Sequence, residues 1–364
     1  MKKLLLLPII SLIISCETEK QEEIGFDSIY EEKIFKKISD LNTVNDQYWS
    51  GYNSISELPL IIQFFTDVDD FNSTYIVNDP PSLPDGSVKL NVSTFGLNIY
   101  RNNAITDEIA NMVEPLRSFA SIELQGNQYF LMRQRDPRST YDEFKNVDDN
   151  WIPTILNHEL FHYFQFDIQQ WGWSGQEYIE AEFTPELISH LLLLSEISVQ
   201  AYSAPDSEYL NYLKLYCAIM QTLMEIDSNG FIRNSAQYSE RIEGSARYVE
   251  HFTANATIYP TINFDPTHSW NEQLKSTSDG DIVNYIFQTR IWYHTGAIAT
   301  HLLRSKGIDV ENEYRAGKTP FQLTESLLNL TNQETVDALT EAKNSVNWYN
   351  IQQDAQSYFD LINE

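Results

Sequence analysis

The chain has 364 residues, with 52 acidic against 24 basic side chains and a formal net charge of −28. That balance excludes a nucleic-acid binder, which needs a basic surface. It also excludes adhesion to anionic lipid through surface charge. The length allows two domains or one large one with a sizeable core, and 21 Tyr with 19 Phe fit a folded globule rather than a disordered chain.

Residues 1–15 read as a signal peptide. Lys2 and Lys3 supply a positive start, and the apolar run from Leu4 to Ile14, broken only by Pro8 and Ser11, is too short to span a bilayer. The run ends Ile13-Ile14-Ser15-Cys16, which resembles a bacterial lipobox. That resemblance implies cleavage before Cys16 and lipid attachment to its thiol; the alternative is a plain secretory signal with an incidental cysteine. Residues 16–26 read as an acidic tether. The run Glu17-Thr18-Glu19-Lys20-Gln21-Glu22-Glu23 resembles the surface-export signal of lipoproteins in Bacteroidetes-type bacteria. Together these resemblances imply an outer-membrane lipoprotein of the bacterial cell envelope, exposed at the surface and touching the membrane through its anchor alone. Cys217 is the one other cysteine. An acylated Cys16 leaves it without an intramolecular partner, and its apolar setting, Leu215 to Met220, marks an inert core thiol.

Residues 27–149 read as an N-terminal α/β subdomain with a small sheet. Tyr30 to Leu41 has the pattern of a short amphipathic helix, and Pro59 to Phe65 that of a buried strand. Residues 78–86 form a turn-rich loop, and Val88, Leu90 and Val92 alternate with polar residues as in a half-exposed strand. Thr106 to Ser118 reads as a helix; Ser121 to Leu124 and Gln128 to Met132 read as a hairpin about Gly126. Asp67, Asp69 and Asp70, like Asp227-Ser228-Asn229-Gly230, lack the ligand spacing of a calcium loop and are explained by turn chemistry.

Residues 150–364 read as a helical metal-binding subdomain, opening on Asn157-His158-Glu159-Leu160-Phe161-His162-Tyr163-Phe164-Gln165. This stretch contains H-E-x-x-H. On a helix, residues four apart share a face, so His158 and His162 can direct both imidazoles at one ion. Glu159 lies at the edge of that face, where it reaches a water at the metal without ligating the metal itself. Pro153 suits the first helical position, with Asp149 or Asn150 near enough to cap. Ile155, Leu156, Leu160, Phe161, Phe164 and Phe166 wrap most of the circumference, the pattern of a buried helix. Further helices follow from Thr184-Pro185, over Ser207 to Ile226, Glu243 to Ala256 and Arg290 to Leu303, and after capping boxes at Thr319 to Gln322 and Thr331 to Glu334. Tyr259 to Asp281 reads as a surface loop, a candidate rim for a cleft.

A catalytic zinc keeps three protein ligands and one open position, so a third ligand must come from elsewhere. Glu182 lies twenty residues after His162, an interval that resembles that of the thermolysin family, but it sits among Glu177 and Glu180 before a helix start. Glu243 opens Glu243-Gly244-Ser245-Ala246-Arg247-Tyr248-Val249-Glu250. Gly244 and Ala246 would let that helix approach the histidine helix closely. Glu250, two turns on, shares the face of Glu243 and is a candidate to orient a ligand imidazole from behind.

The string E-G-x-A-x-Y-x-E, paired with H-E-x-x-H, resembles the second motif of gluzincin-type zinc peptidases. The resemblance spans residues 158 to 250, with a gap from His162 to Glu243 far longer than in the aminopeptidase or thermolysin families. It implies an α+β, mainly helical, zincin-like core; a single Zn2+ on His158, His162 and Glu243; and Glu159 as general base in hydrolysis of a peptide or protein substrate by zinc-activated water. Tyr293 and His294, in Trp292-Tyr293-His294-Thr295-Gly296-Ala297, are candidates to stabilise the oxyanion, with Tyr248 and His251 next. Gly296 and Ala297 point to another close helix approach. His190, His268 and His301 have no motif around them. The expectation is a lipid-anchored zinc metallopeptidase. Its rivals are a surface lipoprotein that binds glycan or peptide around a structural or degenerate metal site, and a zinc hydrolase acting on another bond.

Overall fold

The computed structural model describes residues 25–52, 59–67, 70–92, 95–113, 119–135, 151–172, 179–258 and 269–364. The signal peptide, residues 16–24 of the acidic tether with Cys16, His268 and Glu177 lie outside the described residues; at the tether's expected end Phe26 already stacks on Phe35 (5.0 Å) against the sheet-side core. Among the described residues the fold is mainly helical, with one six-stranded mixed sheet near the N-terminus. No helix there is long and apolar enough to cross a membrane.

Helix α1 (Ile29–Asn42) opens on a capping box between Ser28 and Glu31, and the short α2 (Asn45–Tyr48) follows. The strands are β1 (Leu60–Asp67), β2 (Asp70–Val77), β3 (Val88–Lys89), β4 (Ile99–Arg101), β5 (Phe119–Leu124) and β6 (Asn127–Arg135). Their order is β3-β4-β2-β1-β6-β5, with β1 and β6 parallel and the other pairs antiparallel. The run Leu60-Ile61-Ile62 is continuously apolar because β1 is covered on both faces. Leu60, Ile62 and Phe64 face α1, whereas Ile61 packs with Ile109 of α3 (Thr106–Met112). Gln63, buried on that second face, donates to the Thr106 carbonyl (3.0 Å) and accepts from Arg133 (3.1 Å).

The β5–β6 hairpin turns through Gln125 and Gly126, both at positive φ, as a two-residue turn between right-twisted strands requires. The alternation at Val88, Leu90 and Val92 yields only a two-residue strand, Val88–Lys89; Leu90 still donates its N–H to the Ile99 carbonyl (2.9 Å) while its side chain joins the core with α1. Strands β2 and β4 were not legible in the sequence; β2 is polar at Asp70, Asn72, Ser73 and Thr74.

The histidine helix α4 (Trp151–Tyr163) begins two residues before Pro153, which therefore sits inside the first turn, where its missing N–H leaves no bond unmade. Leu156 and Leu160 pack into the sheet-side core with α1 and β1. Phe161 and Phe164 pack into a second core with Trp49, Tyr52 and Ala246. The apolar circumference thus marks a helix wedged between sheet and bundle, each large side chain adding roughly 1.5–3 kcal/mol of burial. A π-helical turn, Phe164–Ile168, ends it.

The bundle continues with α5 (Pro185–Tyr202), α6 (Tyr209–Ile226), α7 (Gln237–Thr257), α8 (Trp270–Leu274), α9 (Gly280–Tyr285), α10 (Ile291–Ser305), α11 (Val310–Arg315), α12 (Pro320–Leu328), α13 (Asn332–Asn344) and α14 (Trp348–Ile362). Thr184 caps α5, and both later capping boxes are present. Two expectations change. Helix α7 starts six residues before Glu243, so Glu243 lies in its second turn rather than at its start. The described part of the expected loop 259–281 carries α8 and α9, capped by Ser269 and Asp279, with Trp270 and Leu274 turned inward one helical turn apart. Cys217 is a buried free thiol, pushed up to about 12 by burial. The Asp227–Gly230 segment is a turn, with Asp227 and Asn229 accepting from backbone N–H groups and Gly230 at positive φ.

Candidate metal centre

Helices α4, α7 and α10 carry the site. Helix α4 is pinned one residue before the first histidine: Asn157 exchanges hydrogen bonds of 3.0 Å with Asn45, donates to Thr253 (2.9 Å) and accepts from the Tyr52 hydroxyl. Helices α7 and α10 cross at glycine. A Cβ on Gly244 would lie 2.5 Å from the Gly296 Cα, and one on Gly296 would lie 2.4 Å from the Glu240 carbonyl oxygen. The close approach at Gly244 is therefore to α10, not to the histidine helix; Ala246 is the residue that shares a core with Phe161 and Phe164. A π-helical turn also leads into α7 (Ile232–Ala236) and into α10 (Ile286–Arg290). Such turns recur at functional sites, where they re-aim side chains within a helix.

At the centre, His162 Nε2 lies 3.1 Å from His158 Nε2 and 3.1 Å from Glu243 Oε2, and His158 Nε2 lies 3.3 Å from the same oxygen. These three residues form a group able to hold one metal ion. The tautomers follow from the groups behind them. His158 Nδ1 lies 3.0 Å from Glu250 Oε2, and Arg247 holds the other Glu250 oxygen at 2.5 Å. An ionised carboxylate only accepts, so Nδ1 donates. Gln165 donates through Nε2 to the Ile242 carbonyl (3.1 Å) and to Ser245 Oγ (2.8 Å), which turns its Oε1 toward His162 Nδ1 at 2.8 Å. That nitrogen donates too. Both Nε2 lone pairs then face Glu243 Oε2, and three acceptors crowd one point.

Such a cluster needs a positive charge at its centre. Without a metal, a proton serves: burial opposes the charged His158 imidazole, but hydrogen bonds to Glu243 and Glu250 outweigh it and push His158 up to about 9. Burial likewise opposes the charge on Glu243, and His162 and His158 hold it well below the usual carboxylate range. Glu250 is also lowered, burial being outweighed by Arg247 and His158. Zinc bonds of about 2.0–2.2 Å in a tetrahedron put neighbouring ligand atoms about 3.3 Å apart, close to the spacing present. The donor set therefore fits zinc.

Glu159 is half-buried beside His158 and makes no hydrogen bond or ion pair with any described residue. Tyr293 stacks on His158, ring centroids 5.8 Å apart and planes within 2°, with its hydroxyl in reach of Glu243. Burial and the Glu243 charge raise its phenol far above the ordinary value. His294 points elsewhere, packing at a 45° tilt against Trp270 (5.0 Å) and lying 6.4 Å from His251. Tyr248 is turned away from the centre against Tyr48, Trp49 and Phe252. Glu182 is exposed and accepts from Ser228 (3.0 Å), outside the cluster. His190 bonds the Glu186 carbonyl, and His301 the Tyr209 hydroxyl. Gln165, Arg247 and Asn157 join the site without a motif of their own in the sequence. Gln165 follows His162 by three residues, a same-face spacing that carried the signal.

A groove of about 750 Å3 lies away from this centre, between α6, α12 and α13, lined in part by Gln221, Arg233, Gln237 and Asn332. Comparison of the chain with protein families, curated proteins and solved structures finds no match.

Proposed function

We propose that the chain is a lipid-anchored, extracytoplasmic zinc-dependent hydrolase, and that the bond it cleaves is a peptide bond. The observation that carries this reading is the convergence of His158 Nε2, His162 Nε2 and Glu243 Oε2 within 3.3 Å, with both imidazoles oriented from behind. Zinc held there would lower the pKa of a bound water to about 7 and polarise the scissile carbonyl.

The remaining work falls to the chain. Glu159, one residue after a ligand and without a competing partner among the described residues, takes the proton of the attacking water and passes it to the leaving amine. Tyr293, kept in its phenol form, donates to the developing oxyanion from its place over His158. Glu250 and Arg247 on one side and Gln165 on the other hold the imidazoles in the required tautomer. The lipid anchor rests on the lipobox-like Ile13-Ile14-Ser15-Cys16.

The test is a peptide-cleavage screen with protein starting after Cys16, its Glu159→Gln variant and a chelator control. Cleavage that falls at least 100-fold in the variant while zinc is retained supports the reading. Equal cleavage by both proteins would remove Glu159 as the base. Zinc retained with no peptide cleaved would favour a hydrolase of another bond or a binding lipoprotein.

A further inference from the structure

Arg290 ends the π-helical turn that leads into α10 and stands three residues before Tyr293. It is exposed. Its guanidinium carbon lies 5.2 Å from the Tyr293 ring centroid and 5.4 Å from that of Tyr285. The Tyr293 ring is itself parallel to the His158 imidazole. Imidazole, phenol and guanidinium therefore form one path from the metal cluster to the surface. With steps of 5.8 Å and 5.2 Å, the guanidinium lies within about 11 Å of the imidazole.

The two arginines at the site differ in how their charge is used. Arg247 is committed to Glu250 at 2.5 Å. Arg290 forms no ion pair with any described residue, in a chain with more than twice as many acidic as basic side chains. Its contacts are aromatic faces, which hold the guanidinium by cation–π attraction and leave its N–H edge open to a planar anion.

We propose that Arg290 binds a carboxylate of the substrate, close in sequence to the scissile bond. The inference rests on the hydrolase reading only for where that bond lies. Extended peptide advances about 3.3–3.6 Å per residue, so a carbonyl at the metal cluster and a carboxylate at Arg290 are at most about three residues apart. A guanidinium pairs a carboxylate through two parallel hydrogen bonds, and the flanking rings limit the side-chain entropy lost on binding. The carboxylate is either the C-terminus of a short peptide or an acidic side chain.

Binding separates these sources without turnover. Zinc-loaded protein carrying Glu159→Gln is titrated calorimetrically with acetyl-Gly-Phe-Ala as free acid and as C-terminal amide, then with acetyl-Gly-Phe-Asp amide and acetyl-Gly-Phe-Asn amide. The acid of the first pair, or the Asp peptide of the second, should bind about tenfold or more tighter than its neutral partner. Adding Arg290→Gln should bring that ratio to about one, and Arg290→Lys, which keeps charge but loses the fork, should retain part of it. Whichever pair shows the preference identifies the source. Equal affinity within both pairs, no binding of any of the four, or a preference that survives Arg290→Gln would overturn the assignment. Failure of the hydrolase reading looks different: an Arg290-dependent preference in the titration, with no peptide cleaved by the wild-type protein.

Discussion

Glu240 and Glu243 stand one turn apart on α7 and meet opposite surroundings. Glu240 is fully buried, and its oxygens accept from the Tyr216 and Thr295 hydroxyls, each at 2.6 Å. Burial dominates there, and the carboxyl is pushed up to about 7. Glu243 sits at the edge of the core against two imidazoles, which hold it ionised despite burial. Neutral donors and a closed pocket make a carboxyl that joins helices together. Nitrogen lone pairs and an opening to solvent make one that can share a cation. The same helix does both because Gly244 and Gly296 bring α10 tightly against its Glu240 side, while Glu243 meets the two imidazoles of α4 and, from α10, the Tyr293 hydroxyl.

The comparison breaks most completely at the crossing. Gly296→Ala puts a methyl group 2.4 Å from the Glu240 carbonyl oxygen, and backbone must move to admit it. About 3 kcal/mol or more of stability should be lost in urea unfolding; a loss below about 1 kcal/mol would show that the crossing is not tight. Next in size, Glu243→Gln should lower zinc affinity more than 100-fold and Glu250→Gln between about 10- and 100-fold, while Glu240→Gln leaves zinc affinity within a few-fold. Similar zinc losses for Glu240→Gln and Glu243→Gln would erase the distinction between them.

The third test is pH. Folding raises the Glu240 carboxyl from 4.5 to about 7, so the folded state binds that proton more tightly. Its share of stability is fully present below pH 4.5 and is lost as pH rises through about 7, on the order of 3 kcal/mol. In metal-free protein His158 adds a loss of the same sign later, between about 6.5 and 9. Unfolding curves of Glu240→Gln should lose the first decline and keep the second; an unchanged first decline would mean another group causes it. The smallest effect expected is at Gln165→Ala, about a tenfold loss of zinc affinity measured by competition with a chelator, because a neutral amide orients His162 where a paired carboxylate orients His158.

Much of the helical half was legible because its signals are local. Thr184-Pro185, Thr319 to Gln322 and Thr331 to Glu334 cap helices through side chains a few residues away. The histidine pair was legible for the same reason, since a four-residue spacing on one helix fixes its geometry. What lay beyond local signals was less visible. Strand β2 is held by pairing with β1 and β4 rather than by an apolar pattern of its own. Gly244 was read as facing α4, yet its neighbour is Gly296, 52 positions away, and no spacing along the chain announces which helix fills a glycine's empty face. Arg290 gave no motif at all; its place emerges only when Tyr293 is seen stacked on His158.

The most direct test of the central claim is the zinc content of protein starting after Cys16, purified beside His158→Ala and equilibrated with the metal. About one zinc per chain in the wild-type protein, lost in the variant while the fold persists by circular dichroism, is the result the His158–His162–Glu243 cluster predicts. No zinc in the wild-type protein after reconstitution, or equal zinc in both proteins, would contradict it.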